Sequence, residues 1–402
     1  MIFPNPLKLS MRTRSPTLMI PSSFVRRIVG IVLYPSVKVI SFSFIGPLPT
    51  FISKLAPLPQ MASRSLVSVA AGEAVDEMVS RAFQTLKFEE LVEDLGGDLV
   101  VVKPNFADVS RIAPLEYGTG LQGNKLPESE AGVGLPRRGD QTSTEVVDAV
   151  TASVKSTKGV KQVVIAEASA TPTWKAYFMY GIFEVARKHH ARLVDLNNDE
   201  VDVVTVPGGR VLKTLNSPIT IRKANVIVSI PVLKVWSACG VSINIKNMAG
   251  GTTPSYYGPT ICNLTGWRSN PRYDPDIVMG QSRTLAEAMV DIASVNRAHL
   301  GIVDAITVMH NANPGKEFGF KWQDVKVEEL GAVIGSRDLV AADAVGAQIM
   351  GFYPHKILHL NAAHERGLGT NDPEKIDVMG TPVERIRLKC SPMTGAEEIA
   401  VP

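Results

Sequence analysis

The residues best suited to chemistry in this chain lie in one short segment behind a run of apolar residues. The run Val226–Ile230 is typical of a buried strand, and two lysines, an asparagine and a pair of glycines come after it. Ammonium groups attract phosphate and carboxylate groups, asparagine amides orient them through hydrogen bonds, and glycines let the backbone approach closely. The segment therefore predicts a binding site for a small anion, with these ligand contacts: Lys234, Lys246, Asn247, Gly250 and Gly251.

Polar residues also stand at the ends of other predicted strands. Those residues are Lys103, Asn105, Glu167 and Asp304. Because the carboxyl ends of parallel strands face the same edge of a sheet, and ligands bind in the crevice beyond it, we expect these residues to share one cleft with Lys234. Lys103 and Asn105 then add charge and orientation to the anion site. The alternative is that each lysine is a solvated surface residue, since lysines are mostly exposed.

Four acidic residues are candidates for catalysis or metal binding. Asp304 and Asp343 are predicted to act as a general base or as metal ligands. Glu167 and Asp338 are predicted metal ligands, because Mg²⁺ binds through one or two carboxylates together with substrate oxygens. Two alternatives stay open. Asp338 can instead cap the helix that follows it, and the acids can neutralise the lysines in a structural ion-pair network.

His310 is the candidate acid–base residue. It lies six residues beyond Asp304, on a segment predicted to be the loop that leaves a strand end. A lone loop histidine is otherwise a solvated surface residue. Trp236 has two interpretations as well: it stacks on a planar ligand ring, or it packs beneath the long loop of residues 250–276.

Strand-like and helix-like segments alternate from Asp98 onward. Short β-branched runs separate segments in which apolar residues recur every three or four positions. This order predicts an α/β fold, with a mainly parallel sheet and helices on both faces, and it is compatible with two lobes around a cleft, residues 95–230 and 231–390. The predicted strands are 98–102, 163–166, 191–196, 201–206, 219–221, 225–230, 299–303 and 332–335, and the predicted helices are 142–154, 174–189, 285–295, 339–350 and 354–366.

The beginning of the chain differs in composition from the rest. Met1–Gly72 contain eight Lys or Arg and no Asp or Glu, whereas the chain from Glu73 onward has 34 basic and 39 acidic residues. The apolar stretches there are shorter than the roughly 20 residues of a spanning helix. Residues 1–60 are interpreted as a basic, apolar extension: a targeting segment, an interfacial anchor, or translation from a start upstream of Met61. The α/β domain is predicted over residues 61–395.

Several functional classes lack support in the sequence. The three cysteines are far apart, which argues against an iron–sulfur motif and a disulfide framework and favours a reducing cytoplasm. The folded part shows no basic patch interleaved with aromatic residues, so nucleic acid is not an expected partner. No G-x-G-x-x-G follows a predicted strand, and no P-loop or G-x-S-x-G motif occurs. Membrane association is expected only if residues 1–60 are retained.

The order of the motifs resembles a known family. Lys103–Asn105, Pro231–Lys234, Lys246–Gly250, Ile302–Asp304 and Ser336–Asp343 together resemble the domain-of-unknown-function family 362. The resemblance runs from about Leu99 to Gly380 and implies an α/β fold with a site at these motifs, but no established reaction. It also implies a link to anaerobic metabolism, because members are widespread in anaerobic bacteria and archaea, some joined to ferredoxin-like modules. Members often carry histidine two residues after the lysine that matches Lys234, whereas this chain has Trp236.

Together these features predict a cytoplasmic protein that binds a small anionic metabolite or a phosphorylated cofactor at the carboxyl edge of the sheet. In the leading interpretation it is an enzyme, with a divalent metal ion as an optional cofactor. The alternative is a non-catalytic accessory or carrier protein that binds a cofactor or a redox or iron–sulfur protein partner. The sequence lacks an obvious nucleophile, which keeps the alternative open.

Overall fold

Strands rich in valine, isoleucine and leucine form the centre of the protein. The computed structural model describes residues 64–106, 139–169, 172–236, 239–250, 277–278, 281–311, 325–392 and 397–401. The strands in chain order are β1 Ser65–Ala71, β2 Leu99–Pro104, β3 Gln162–Glu167, β4 Arg192–Asp195, β5 Val201–Thr205, β6 Thr214–Pro218, β7 Val226–Ile230, β8 Val232–Trp236, β9 Gly240–Ser242, β10 Ile277–Val278, β11 Gln281–Ser282, β12 Leu300–Asn311, β13 Val325–Ser336 and β14 Ile376–Gly380.

The main sheet has the strand order β14-β1-β13-β12-β7-β2-β3-β4, with β8 beside β12 and β9 beside β8. The pairs from β12 through β7, β2 and β3 to β4 are all parallel, as are β1 with β14 and β12 with β8. Strand β13 pairs antiparallel with both β1 and β12. The predicted mainly parallel sheet is therefore confirmed. Two hairpins, β5–β6 and β10–β11, lie outside the main sheet.

Helices cover both faces of this sheet. They are α1 Val75–Thr85, α2 Phe88–Leu95, α3 Thr144–Ser156, α4 Thr173–Met179, α5 Ile182–His189, α6 Ile219–Lys223, α7 Asn244–Ala249, α8 Arg283–Val295, α9 Leu339–Ile349, α10 Leu358–Glu365 and α11 Val383–Ile386. In β2, Val101 packs into one apolar core with α8 and α9, while Val100 and Val102 pack into the opposite core with α1 and α3. Side chains alternate across a strand, so a strand buried on both faces needs this continuous apolar run.

Some predicted elements differ in the structure. The predicted strand 219–221 is wrong, because the strand ends at Pro218 and residues 219–223 form α6. The helix predicted over 174–189 is broken at Tyr180 and Gly181, where Gly181 has a φ of +64°. A left-handed residue cannot continue a right-handed helix, and glycine takes that conformation without steric cost. The predicted strand 332–335 is the end of the much longer β13.

The predicted extension, residues 1–60, lies outside the described residues. Strands from both predicted lobes join in a single sheet, because β12 pairs with β7. In the part of the chain that the structure describes, no helix is both long and apolar enough to cross a bilayer.

Candidate anion site

The carboxyl ends of β2, β3 and β7 lie side by side, and the polar residues predicted to meet there do so. Strand β7 ends at Ile230, and the carbonyl oxygen of the next residue, Pro231, accepts the Asp304 N–H at 2.8 Å. Strand β12 pairs with β7 at Gly301 and with β8 from Asp304 onward. The interruption at Pro231 thus places β8 beyond the edge on which β2 and β3 end.

Lys103 is fully buried at this edge, and its ammonium group is hydrogen-bonded to other side chains of the protein. Its Nζ donates to Glu167 Oε2 at 2.8 Å and to Asn247 Oδ1 at 3.1 Å. The Asn247 amide in turn donates to Ser229 Oγ at 2.9 Å, which holds α7 across β2 and β7. Burial raises the pKa of Glu167, while the ammonium of Lys103 acts in the opposite direction. The charge of Lys103 is therefore neutralised inside the protein.

Lys234 belongs to a second buried ion pair. Its Nζ lies 2.9 Å from Asp140 Oδ1, also donates to the Asp140 carbonyl oxygen, and donates to Asn105 Oδ1 at 3.1 Å. The Asn105 N–H donates to Thr142 Oγ1 at 2.8 Å. Asp140 and Thr142 were not among the predicted site residues. No local pattern pointed to Asp140, because the need for a carboxylate follows from the burial of Lys234, which only the structure shows.

Asp304 closes the arrangement from the β12 side. Its carboxylate is buried and accepts N–H groups from Ser143 at 2.7 Å and Ile306 at 3.0 Å. Ser143 caps α3, where its hydroxyl accepts from Val146 N–H. Burial raises the pKa of Asp304, and these N–H donors oppose the rise. Asp304 therefore fixes the start of α3 next to the Lys234–Asp140 pair.

Asp343 lies on α9 and caps α7. Its two carboxylate oxygens accept the N–H groups of Asn244 and Ile245 and the Asn244 side-chain amide, all at 2.9 Å. The side chain is completely buried, and this burial raises the pKa of Asp343 to about 7. Helix α7 carries Lys246 and Asn247. Asp343 therefore affects the site indirectly, because its hydrogen bonds fix the position of this helix.

The raised pKa of Asp343 should make the free energy of unfolding depend on pH. A folded pKa of about 7 exceeds the unfolded value of about 3.9, so the folded protein binds this proton more tightly. The resulting stabilisation is fully present below the unfolded pKa and is lost as pH rises through the folded one. We expect urea unfolding of the wild type to show a decline in unfolding free energy between about pH 4 and pH 7 that is smaller in Asp343→Asn, where only the other carboxyl groups with a raised pKa, Glu167 and Asp304, still contribute. The same slope in both proteins would contradict this assignment.

Two predicted residues lie apart from this cluster. Asp338 caps α9, accepting the Ala341 N–H at 3.0 Å, and it also accepts from Ser65 Oγ at 2.7 Å and Thr370 N at 3.0 Å. His310 is buried within β12 rather than on a loop. Its Nδ1 accepts the Ser391 N–H at 3.1 Å, and its Nε2 lies 3.1 Å from Glu328 Oε1. The catalytic role of His310 and the metal role of Asp338 stay predictions.

Lys246 differs from the other two lysines. Its side chain is half-buried, and no carboxylate of the described residues lies within ion-pair distance of its ammonium group. The ammonium instead lies 5.2 Å from the centre of the Trp236 ring, and Lys234 Nζ lies 5.3 Å from the same ring. Trp236 is therefore next to both lysines, an arrangement in which the ring face attracts cations.

The two predicted glycines follow α7. Gly250 lies against Lys103, since a Cβ atom on Gly250 would be 3.9 Å from Lys103 Nζ. Gly251 lies outside the described residues. Within the described ranges, no three Asp, Glu, His or Cys side chains are grouped as a metal site. The divalent metal ion predicted from the sequence stays a prediction.

Comparison with known proteins gives a family and distant structural similarities, including two solved structures described below. No curated protein sequence matches the chain. The chain is similar to the lactate racemase apoprotein from Thermoanaerobacterium thermosaccharolyticum, with 12% identity, a TM-score of 0.40, and coverage of 72% of this chain and 58% of that one. It is also similar to a protein from Thermotoga maritima, with 11% identity, a TM-score of 0.34, and coverage of 74% and 59%. The chain thus spans less than two thirds of either protein.

The family model described as "Domain of unknown function (DUF362)" matches residues 134–348, more than half of the chain. The match includes Asp140, Glu167, Lys234, Lys246 and Asp304, and it ends within α9. The family predicted from the motifs is confirmed, and this chain belongs to the DUF362 family.

Proposed function

We propose that the protein binds a small anionic metabolite or a phosphorylated cofactor at the carboxyl edge of its sheet, and that it acts on this ligand as an enzyme. The observation that carries the proposal is the ammonium group of Lys246, which is half-buried, lies over Trp236 and has no carboxylate partner among the described residues. A partly desolvated cation without a counterion attracts an anion more strongly than a solvated one does, because its field is less screened.

The two buried ion pairs have a different role in this proposal. Lys103 with Glu167 and Lys234 with Asp140 are each electrically neutral, and they lie below the surface. They fix β2, β3, β8 and the segment before α3 relative to one another. Lys246 then provides the net positive charge of the site, and Asn247 supports it by tying α7 to Lys103 and Ser229.

A ligand screen tests the binding part of the proposal. Thermal-shift measurements against phosphate, phosphorylated cofactors, dicarboxylates, Mg²⁺ and Mn²⁺ should reveal a stabilising ligand, because a ligand that binds only the folded state raises stability. We expect Lys246→Met to weaken anion binding by roughly 10- to 100-fold, the range for one hydrogen bond to a charged group. Lys175→Met, an exposed position on α4, removes the same charge elsewhere and should leave the affinity unchanged. Equal binding by both variants would remove the basis of the proposal.

Turnover separates an enzyme from a carrier. The ligand found in the screen is incubated with the protein under anaerobic conditions and then recovered for mass spectrometry. An enzyme converts it, and Asp304→Asn is expected to stop product formation while binding persists. Recovery of unchanged ligand from the wild type would favour the carrier interpretation.

A further inference from the structure

Trp236 is an aromatic side chain beside the candidate anion site. It is the last residue of β8 and is half-buried, and it packs against one of the two apolar cores. Lys246 Nζ lies 5.2 Å from the centre of its ring, and Lys234 Nζ lies 5.3 Å from the same point. The ring is therefore a common neighbour of both ammonium groups.

The two lysines differ in what else they contact. Lys234 Nζ also has the Asp140 carboxylate at 2.9 Å and Asn105 Oδ1 at 3.1 Å. The ammonium group of Lys246 forms neither an ion pair nor a hydrogen bond with the residues that the structure describes. Within that part of the chain, the attractive contact of this ammonium group is the one with the Trp236 ring.

Both partners of this contact lie on elements that are fixed by other bonds. Strand β8 pairs with β12 on one side and with β9 on the other, where Trp236 lies opposite Gly240. Lys246 lies on α7, whose first two N–H groups are accepted by the Asp343 carboxylate at 2.9 Å. The ring is thus held in a constant position beside the helix that carries Lys246.

A ring and a carboxylate affect an ammonium group differently. A lysine side chain is long and flexible, so holding it in one conformation costs entropy. A carboxylate would hold the ammonium group but would also neutralise it. The face of an aromatic ring attracts a cation through its quadrupole and carries no net charge. An anion that arrives there meets an ammonium group that is already in place and still charged.

We infer that Trp236 is a positioning residue of the anion site, whose ring holds the ammonium group of Lys246 in place by a cation–π contact without neutralising it. This inference rests on the proposed function, because Lys246 contacts the anion and Trp236 acts through Lys246. It also fixes the sign of the effect. A weaker attraction to the ring leaves the lysine more conformational freedom to lose on binding, so the affinity for the anion falls.

Fluorinated tryptophans test the contact with little change in shape. Trp236 is replaced in the full chain by mono-, di- and trifluorotryptophan, which withdraw electron density from the ring face in steps. Calorimetry with inorganic phosphate at constant ionic strength should show a stepwise loss of affinity that reaches roughly two- to fivefold, the effect of one partly exposed cation–π contact. The same replacements at Trp174, which is 45% exposed on α4, should leave the phosphate affinity unchanged.

Two ordinary substitutions and NMR give an independent readout. Trp236→Phe keeps an aromatic face and should retain part of the phosphate affinity that Trp236→Leu loses. In the wild type, the ε-CH₂ protons of Lys246 should resonate upfield, because they lie near the face of the ring. Trp236→Leu should abolish this upfield shift and Trp236→Phe should keep part of it, and the absence of the resonance in Lys246→Met assigns it.

The outcomes separate the role of Trp236 from the function itself. An affinity that stays constant or rises along the fluorinated series would overturn the inference, even if Trp236→Leu binds more weakly, because packing alone would then explain that loss. Such a result, together with weaker binding by Lys246→Met, would leave the proposed function intact. A wild type that binds phosphate no better than Lys246→Met does would overturn the proposed function as well.

Discussion

Lys103→Met is expected to lower the free energy of unfolding by about 3–5 kcal/mol, the usual effect of removing one partner of a buried ion pair. The substitution leaves the Glu167 carboxylate buried without its ammonium partner, which is 2.8 Å away in the wild type. It also removes the donor to Asn247 Oδ1. Urea unfolding, with the slope of the transition checked against wild type, measures the loss.

The physical cause of this loss can be separated from simple repacking. The double variant Lys103→Met/Glu167→Leu removes both charges and should regain most of the lost stability, because well-packed apolar residues can replace a buried pair. The deficit of the single variant should shrink as pH falls, since Glu167 can then be protonated. Lys161→Met, which breaks a fully exposed pair with Asp98, should have no measurable effect. A deficit that is independent of pH and not rescued would contradict the ion-pair explanation.

Gly301→Ala is expected to destabilise the protein, although the same change in a strand usually stabilises by about 0.5–1 kcal/mol. A Cβ atom at Gly301 would lie 2.6 Å from Asn244 Oδ1 and 2.7 Å from Asn244 Nδ2. The Asn244 side chain cannot easily move, because it donates to Asp343 and begins α7. Overpacking of this kind costs about 1–3 kcal/mol, which exceeds the gain in backbone entropy.

A double-mutant cycle tests this contact. Asn244→Ala creates the space that the new methyl group needs, so in that background Gly301→Ala should be neutral or stabilising. Phosphate affinity gives a second measurement, because a shift of α7 moves Lys246. If Gly301→Ala costs the same in both backgrounds, the collision with Asn244 is not the cause.

The sequence predicted the meeting of distant polar residues because one rule of topology governs it. Lys103 and Glu167 lie at the carboxyl ends of parallel strands, and parallel strands present these ends at one edge. Asp304 was predicted to follow a strand, but it lies within the longer β12, at the point where β12 passes from β7 to β8. The strands themselves were recognisable as short β-branched runs. The sequence alone was therefore enough to predict that these polar side chains lie near one another.

Other parts of the site depend on contacts that no local pattern reveals. Asp140 follows a segment rich in glycine and proline, and only the structure shows that its carboxylate neutralises Lys234. His359 lies on a predicted helix, but its complete burial results from the packing of α10 in the tertiary structure. The antiparallel strands β1 and β13 were missed or shortened for a similar reason, since pairing between residues about 270 positions apart is set by tertiary structure rather than by period.

The position of β2 in the sheet has a consequence for the boundary of the family. The matched residues 134–348 contain β3, β7 and β12 but omit β2, which pairs with both β3 and β7. A polypeptide restricted to that range would have its sheet divided in the middle, with two inner edges open to pairing with other molecules, and such edges promote aggregation. The range matched by the family model is therefore shorter than the part of the chain that has to fold together, because that part includes β2.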